Sequence, residues 1–298
     1  MACRWVSGPF TRALRQPGSP ASTPPPPSSA TEVSPPLAPL RIVYQDDAVV
    51  AIDKPPGLLV HRSPVDRHET RFAVQLLRDQ IGRRVHPVHR LDRGTSGVLV
   101  FALDPVSAAT LGAQFQAGTK RSTYLAVVRG HLCGEGDIDH PLADVVDRHA
   151  GLEGSAPRPA QTHYRSLATA ELPVAIDRYP SSRFSLLALQ PGTGRRHQIR
   201  RHLKHLSHPI IGDATYGKGR YNRYFADAIG IPRLLLACVS ITLAHPRSGT
   251  PLTLVAPVRE GFAAALTHLG WGDALPPAWM EAPGHASAVS HHGSFVGQ

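Results

Sequence analysis

Short apolar runs bounded by turn residues dominate the sequence between residues 41 and 255. They lie at 42–44, 49–52, 97–102, 123–128, 184–189, 234–243 and 252–255. Polar turns such as Gln45-Asp46-Asp47 and Ser248-Gly249 separate neighbouring runs and favour antiparallel pairing, because parallel strands need long crossover connections. The sequence therefore predicts an α+β fold with a mixed, mostly antiparallel central β-sheet and flanking helices and loops.

Apolar residues at helical spacing occur in fewer segments than the strand-like runs. One segment spans 70–82, and a second begins at Asp104-Pro105, which provides an N-cap and a first-turn proline. A third follows Gly192-Thr193-Gly194 and carries the stripe Ile199, Leu203 and Leu206, and a fourth spans 260–271. We expect these helices to pack on the sheet.

The two ends of the chain differ in composition from its centre. Residues 1–39 are rich in proline and serine, and residues 280–298 lack any apolar period, so both are predicted to be disordered tails. Residues 40–279 then form one domain of ordinary size. Three arginines precede the first acidic residue, as in organelle presequences, but the prolines argue against the amphipathic helix that such a signal needs.

The chain is strongly basic, with a net charge of +10 over 298 residues. Unpaired lysines and arginines neutralise phosphates and release counterions, so nucleic acid is the first candidate partner. The alternative is scattered charge that only improves solubility. Cys3, Cys133 and Cys238 are odd in number and widely spaced, which argues against a disulfide framework or a cysteine zinc site.

No apolar run reaches the length of about 20 residues that a transmembrane helix needs. Together with the few cysteines, this predicts a cytoplasmic protein with no membrane partner.

Positive charge concentrates between residues 178 and 212, where acidic residues are absent. The basic residues are Arg178, Arg183, Arg195, Arg196, Arg200, Arg201 and Lys204. A basic helix behind a glycine-rich turn fits a phosphate backbone or an oxyanion, and the alternative is a solvated face of an amphipathic helix.

Several histidines in the same segment raise the question of a metal site. They are His197, His202, His205 and His208. No carboxylate or thiol nearby completes a ligand set, and the surrounding cations repel a metal ion, so we expect no metal.

A second polar cluster, 86–97, runs directly into an apolar strand and contains Arg90-Leu91-Asp92-Arg93. Positive neighbours favour the ionised carboxylate of Asp92, and such carboxylates can act as nucleophiles toward the anomeric carbon of a sugar. The alternative is an ordinary ion pair in a loop.

The string Val88-His89-Arg90-Leu91-Asp92-Arg93, followed by Thr95-Ser96-Gly97, resembles the signature of the RluA-type pseudouridine synthases. Residues 194–203 and 208–213 resemble the other large motif of that family, about a hundred residues further on. The resemblance extends over 44–271, and residues 60–67 and 162–168 are similar in particular to the branch that modifies uridine 65 of tRNA.

This resemblance implies the pseudouridine synthase fold and an isomerase that needs no cofactor and no metal. It identifies Asp92 as the catalytic aspartate, acting on C1′ of the target uridine either as a nucleophile or as the base that forms a glycal. Arg200 corresponds to the arginine that pairs with this carboxylate. Tyr124 corresponds to an active-site tyrosine that lies against the uracil.

The resemblance also implies an RNA substrate, tRNA, and a monomer. Arg90 would fill the space left by the flipped uridine. Further RNA contacts are assigned to His89, Arg93, Arg195, Arg196, His197, Arg201 and Lys204. Two alternatives stay open: the same chemistry on ribosomal RNA, and a noncatalytic RNA-binding module.

Two positions depart from the family pattern. Relatives commonly carry a lysine two residues before the tyrosine, where this chain has Ser122, with Lys120 and Arg121 just upstream. Relatives often have His-Ala where this chain has Ala237-Cys238, and we expect Cys238 to be a small buried hydrophobic residue.

Overall fold

A single twisted sheet organises the protein in the computed structural model, which describes residues 38–62, 69–144 and 156–280. Within these residues the strands are β1 (Arg41–Gln45), β2 (Val49–Lys54), β3 (His86–Pro87), β4 (Ser96–Ala102), β5 (Arg121–Arg129), β6 (Glu135–Asp139), β7 (Gln161–Leu172), β8 (Ser182–Pro191), β9 (Leu236–Ala244) and β10 (Pro251–Val255). The helices are α1 (Ala73–Ile81), α2 (Pro105–Ala117), α3 (Gln198–His205), α4 (Gly219–Ile229) and α5 (Glu260–His268), with a short 3₁₀ turn at Pro277–Trp279.

The strand order is β1-β2-β4-β9-β5-β8-β7-β6, with β3 paired to β4 and β10 paired to β9. Every pair between these strands is antiparallel except β4 with β9, where Ser96 lies opposite Ala237 and Gly97 opposite Cys238. The predicted mixed, mostly antiparallel sheet is therefore confirmed. The single parallel pair joins the N-terminal half of the sheet to the C-terminal half.

A glycine is required where those halves meet. Gly97 has a φ of +102°, and a Cβ atom built there would lie 2.0 Å from the carbonyl oxygen of Cys238. Because a side chain at Gly97 would collide with backbone, any other residue would force β4 away from β9.

The central strands are apolar on both sides because helices cover both faces. On β5, Leu125 and Val127 contact the core formed with α4 and α5, whereas Ala126 and Val128 contact the core formed with α3. Alternating side chains therefore bury against opposite layers, which explains the continuous apolar run in the sequence. A third core lies under β1, β2, β4, α1 and α2.

The predicted helices and strands are present, with ends shifted by a few residues. The predicted stripe is buried at Ile199 and Leu203 and partly buried at Leu206. The sequence interpretation omitted β3, β6, β7 and α4. β7 has few buried side chains, and α4 begins at a glycine and fully buries only Tyr221 and Phe225, so both give weak apolar patterns.

The predicted disordered tails, 1–39 and 280–298, lie outside the described residues except at 38, 39 and 280. From Pro39 onward the described chain belongs to one compact unit. No described helix has the length and hydropathy that a bilayer crossing requires.

Candidate active site

One polar cleft, with a volume of about 610 Å³, unites the two motifs of the sequence. Its walls come from the loop between β3 and β4, the end of α2, the start of β5, and residues 191–200 leading into α3. Asp92 and Arg200 meet in this cleft, with 3.2 Å between Asp92 Oδ2 and Arg200 Nη1. Residues 108 positions apart in the chain thus form one ion pair.

The loop that carries Asp92 is held in place by a buried side chain and by backbone hydrogen bonds. Leu91 is buried in the core beneath it, and the Thr95 N–H donates to the carbonyl oxygen of Asp92 at 3.1 Å. The neighbouring carbonyl of Arg93 accepts from the Gly57 N–H at 2.8 Å. These contacts leave the Asp92 side chain 20% exposed at the cleft wall.

Arg200 is itself fixed by a second carboxylate. Its Nε and Nη2 donate to the two oxygens of buried Asp213 at 2.7 and 2.8 Å, a bidentate pair. Burial opposes ionisation of Asp213, but hydrogen bonds from Arg200 and the Tyr216 N–H outweigh it and lower the pKa of Asp213 below its ordinary value. Asp213 therefore holds the guanidinium in position to reach Asp92.

Tyr216 and His197 complete this side of the cleft. The Arg200 guanidinium lies 5.1 Å from the centre of the Tyr216 ring, and Tyr216 Oη is 3.1 Å from His197 Nδ1. His197 Nε2 is 3.9 Å from Asp92 Oδ1. Burial lowers the pKa of His197, so its ring is neutral at pH 7, although Asp92 favours the charged form.

Tyr124 on β5 lines the cleft beside Cys238, its partner on β9. Burial, followed by the nearby Cys238 and Asp92, raises the pKa of Tyr124 well above 10, so the phenol keeps its proton at neutral pH. Burial likewise raises the pKa of the Cys238 thiol to about 12. Cys238 is fully buried and contributes to the apolar core, in line with its expected role.

The residues predicted to contact RNA fall into two groups. Those lining the cleft are His89, Arg90, Arg195, Arg196 and His197. The other three, Arg93, Arg201 and Lys204, lie outside the cleft lining. Arg93 pairs with Glu69, and Arg201 donates to the carbonyl oxygen of Ala143 at 2.7 Å.

The side chain of His89 contacts other parts of the protein. Its Nε2 accepts the Val100 N–H at 3.0 Å, and its ring stacks on Phe115 with 4.6 Å between ring centres. Burial, with the nearby charge of Lys120, lowers the pKa of His89 to about 3. The neutral ring therefore ties the loop that carries Asp92 to β4.

Lys54, which the sequence analysis did not single out, is buried at the end of β2 behind the loop that carries Asp92. Its ammonium donates to the carbonyl oxygens of Pro55, Leu58 and Arg93 at 2.9, 2.8 and 3.2 Å. These three hydrogen bonds hold the loop behind Asp92 in place. The only signal in the sequence was a lysine at the end of an apolar strand, followed by Pro-Pro-Gly.

Burial lowers the pKa of Lys54 to about 7, against an opposing effect of Asp92. The unfolded chain then binds one more proton than the folded chain between about pH 7 and its ordinary value of about 10.5. We therefore expect the free energy of unfolding, relative to Lys54→Met, to rise with pH across this window by up to roughly 1.4 kcal/mol per pH unit.

Urea unfolding of both proteins at several pH values measures this difference. The exposed Lys218→Met is the control and should change the free energy of unfolding by less than about 0.5 kcal/mol. A difference between wild type and Lys54→Met that is constant with pH would contradict the prediction.

Within the described residues, no group of three or more His, Cys, Asp or Glu side chains is arranged to hold a metal ion. The histidines of the basic segment have protein partners instead. His202 is buried against Thr162 Oγ1 and the carbonyl oxygen of His140, at 3.0 and 3.1 Å. His205 stacks on His140 with 3.8 Å between ring centres.

The chain is similar in sequence and fold to known proteins. The family model for RNA pseudouridylate synthase matches residues 48–205. A tRNA pseudouridine synthase C of Pectobacterium carotovorum subsp. carotovorum is 46% identical over 281 residues, covering 91% of this chain and 74% of the relative. One from Yersinia pestis is 47% identical over 240 residues, covering 80% of this chain and 93% of the relative.

The fold has a matching relative among solved structures. Human RNA Pseudouridylate Synthase Domain Containing 1 superposes with a TM-score of 0.57 and 25% sequence identity. The match covers 74% of this chain and 83% of the human one. Sequence and fold therefore agree with the resemblance carried by the two motifs.

Proposed function

This chain belongs to the RNA pseudouridylate synthase family, and we propose that it isomerises a uridine of tRNA, uridine 65, to pseudouridine with Asp92 as the catalytic carboxylate. The observation that carries the proposal is the convergence of Asp92 and Arg200 from two distant motifs in one polar cleft. Relatives that cover most of the chain are named tRNA pseudouridine synthase C, which supports tRNA as the substrate.

The two carboxylate oxygens of Asp92 have different neighbours, which supports a different role for each. Oδ2 accepts from Arg200, whereas His197 Nε2 lies 3.9 Å from Oδ1, beyond hydrogen-bond distance. Oδ1 is therefore the oxygen directed at the sugar. It either attacks C1′ to form an ester or removes the C2′ proton to form a glycal.

In both routes the bond between C1′ and N1 breaks and its electron pair leaves on N1 of the uracil. The detached base turns in the cleft, and C5 bonds to C1′ as the ester bond to Asp92 breaks or, on the glycal route, as C2′ takes its proton back from Asp92. The C5 proton is then lost and N1 is protonated. Product and substrate have the same atoms, so the reaction needs no redox cofactor. Because the leaving uracil is a resonance-stabilised anion, one carboxylate suffices where glycosidases use two.

Tyr124 and Arg90 have separate roles in this proposal. Tyr124 lies in the cleft with its phenol protonated, which suits contact with the uracil as a neutral hydrogen-bonding group. Arg90 is exposed at the cleft edge and can replace a base that leaves its stack. The other basic residues at the edge, Arg195 and Arg196, suit the phosphates on either side of that base.

The test is to incubate the purified protein with unmodified tRNA transcripts and, separately, with ribosomal RNA, and to map pseudouridine by site-resolved chemical labelling. We expect one product, at uridine 65 of tRNA. A product only in ribosomal RNA would keep the chemistry and change the substrate. Binding of RNA without product would favour a noncatalytic module. We expect the protein to act as a monomer in the cytoplasm.

A further inference from the structure

Lys120 is a cation within the cleft that the pairing of Asp92 and Arg200 does not use. It immediately precedes β5 and lines the cleft together with Ser122 and Tyr124, which lie on one face because side chains alternate along a strand. Its Nζ donates to Ser122 Oγ at 2.9 Å. Among the described residues, no carboxylate lies within ion-pair distance of this ammonium.

The surroundings of Lys120 are short of negative charge. The neighbouring His89 ring is neutral, and the Cys238 thiol and the Tyr124 phenol keep their protons at pH 7. The Lys120 side chain is half-buried, and burial lowers its pKa. A partly desolvated ammonium with one hydroxyl acceptor is costly unless an anion joins it.

Arg200 already balances two carboxylates, so it carries no surplus positive charge for a further anion. Its Nε and Nη2 donate to Asp213 and its Nη1 donates to Asp92. His197 is neutral. Of the other cations lining the cleft, Arg90 and Arg196 are exposed, and Arg195 Nε donates to the carbonyl oxygen of Pro159 at 3.2 Å.

We propose that Lys120 stabilises the detached uracil anion by donating an N–H to one of its carbonyl oxygens. The inference rests on the proposed function, because that reaction creates the anion. When the C1′–N1 bond breaks, the electron pair on N1 spreads onto O2 and O4, and a fixed ammonium beside them lowers the energy of this charge. Lys120 transfers no proton in this step. Its ammonium is held at the cleft by the bond to Ser122 Oγ.

The experiment compares Lys120→Met and Lys120→Arg with wild type on tRNA, under single turnover with enzyme in excess. Removing the charge should lower the rate constant by about 10²-fold, the cost of losing one charge-stabilising donor, and leave the Kd for tRNA within about threefold. Lys120→Arg keeps the charge and should retain the rate within about tenfold. Arg121→Met, an exposed neighbour outside the cleft, is the matched control and should stay within about twofold.

A second substrate separates charge stabilisation from a structural effect. With 5-fluorouridine at the target position the leaving base is more acidic and needs less stabilisation, so the defect of Lys120→Met should shrink to about tenfold or less. Nucleosides separated by chromatography after digestion report loss of the N-glycoside. An equal defect on both substrates would overturn the inference, as would a raised Kd with an unchanged rate, which indicates a phosphate contact.

An unchanged rate and Kd in Lys120→Met would also overturn the inference about Lys120, while leaving the proposed function intact. If the wild-type protein forms no pseudouridine in any RNA, the proposed function fails first and the inference fails with it.

Discussion

We expect pseudouridine formation to fall by about 10⁴-fold or more when Asp92 is replaced by asparagine, while tRNA binding should stay within about threefold of wild type. The amide keeps the shape of the side chain and can still accept from Arg200, but it can neither attack C1′ nor remove a C2′ proton. Single-turnover labelling measures the rate, and filter binding measures the Kd. Asp92→Ala is the second variant, because it removes the remaining polar atoms as well.

Asp79→Asn is the matched control, since Asp79 is an exposed residue on α1 whose only ion pair is with its neighbour Arg78 among the described residues. It should leave the rate within about twofold of wild type. Retained turnover in both Asp92 variants would remove Asp92 from the mechanism. A loss of RNA binding equal to the loss of rate would instead place Asp92 in substrate recognition.

Asp213→Asn is expected to lower the free energy of unfolding at pH 7 by about 3–5 kcal/mol, because it leaves the buried Arg200 without its bidentate partner. Product formation should fall as well, since the guanidinium loses the contact that directs it to Asp92. Urea unfolding and the single-turnover rate measure the two effects. Asp177→Asn removes an exposed partner of Arg220 and should cost less than about 1 kcal/mol.

The effect of Asp213 depends on pH in a definite direction. The folded protein holds the pKa of Asp213 below its ordinary value of 3.8, so the unfolded chain takes up this proton first as the pH falls. The stabilisation is therefore complete above about pH 5 and disappears as the pH drops through the folded pKa. Stability curves of wild type and Asp213→Asn should converge in acid, and a constant gap would contradict the assignment.

The fold class could be predicted because its central strands are short, apolar and separated by turn residues. Strands β6 and β7, at one end of the sheet, could not, since they carry many exposed polar side chains that match no buried pattern. α4 has a mixed surface and begins at Gly219, so its helical period is weak. The parallel contact between β4 and β9 depends on tertiary packing, which no local pattern reports.

The residues of the candidate site could likewise be predicted only in part from the sequence. The family motifs identified Asp92 and Arg200, and the structure places them 3.2 Å apart. The motifs did not distinguish residues that line the cleft from residues that only flank it, as with Arg93 and Lys204. Lys54 donates to backbone carbonyl oxygens and Asp213 pairs with the Arg200 guanidinium, and these contacts become visible only in the folded structure.

The parallel contact of Gly97 with Cys238 also bears on the order in which the sheet can assemble during synthesis. The ribosome releases the β1-β2-β4 half of the sheet long before β9, and the strand that bridges the two halves is among the last to emerge. Pairing of β4 with β9 joins residues that lie far apart in the sequence, and such contacts form slowly. A nascent or truncated chain that ends before β9 has both motifs but lacks the strand that joins the two halves of the sheet and contributes Leu236 and Ile241 to the cleft.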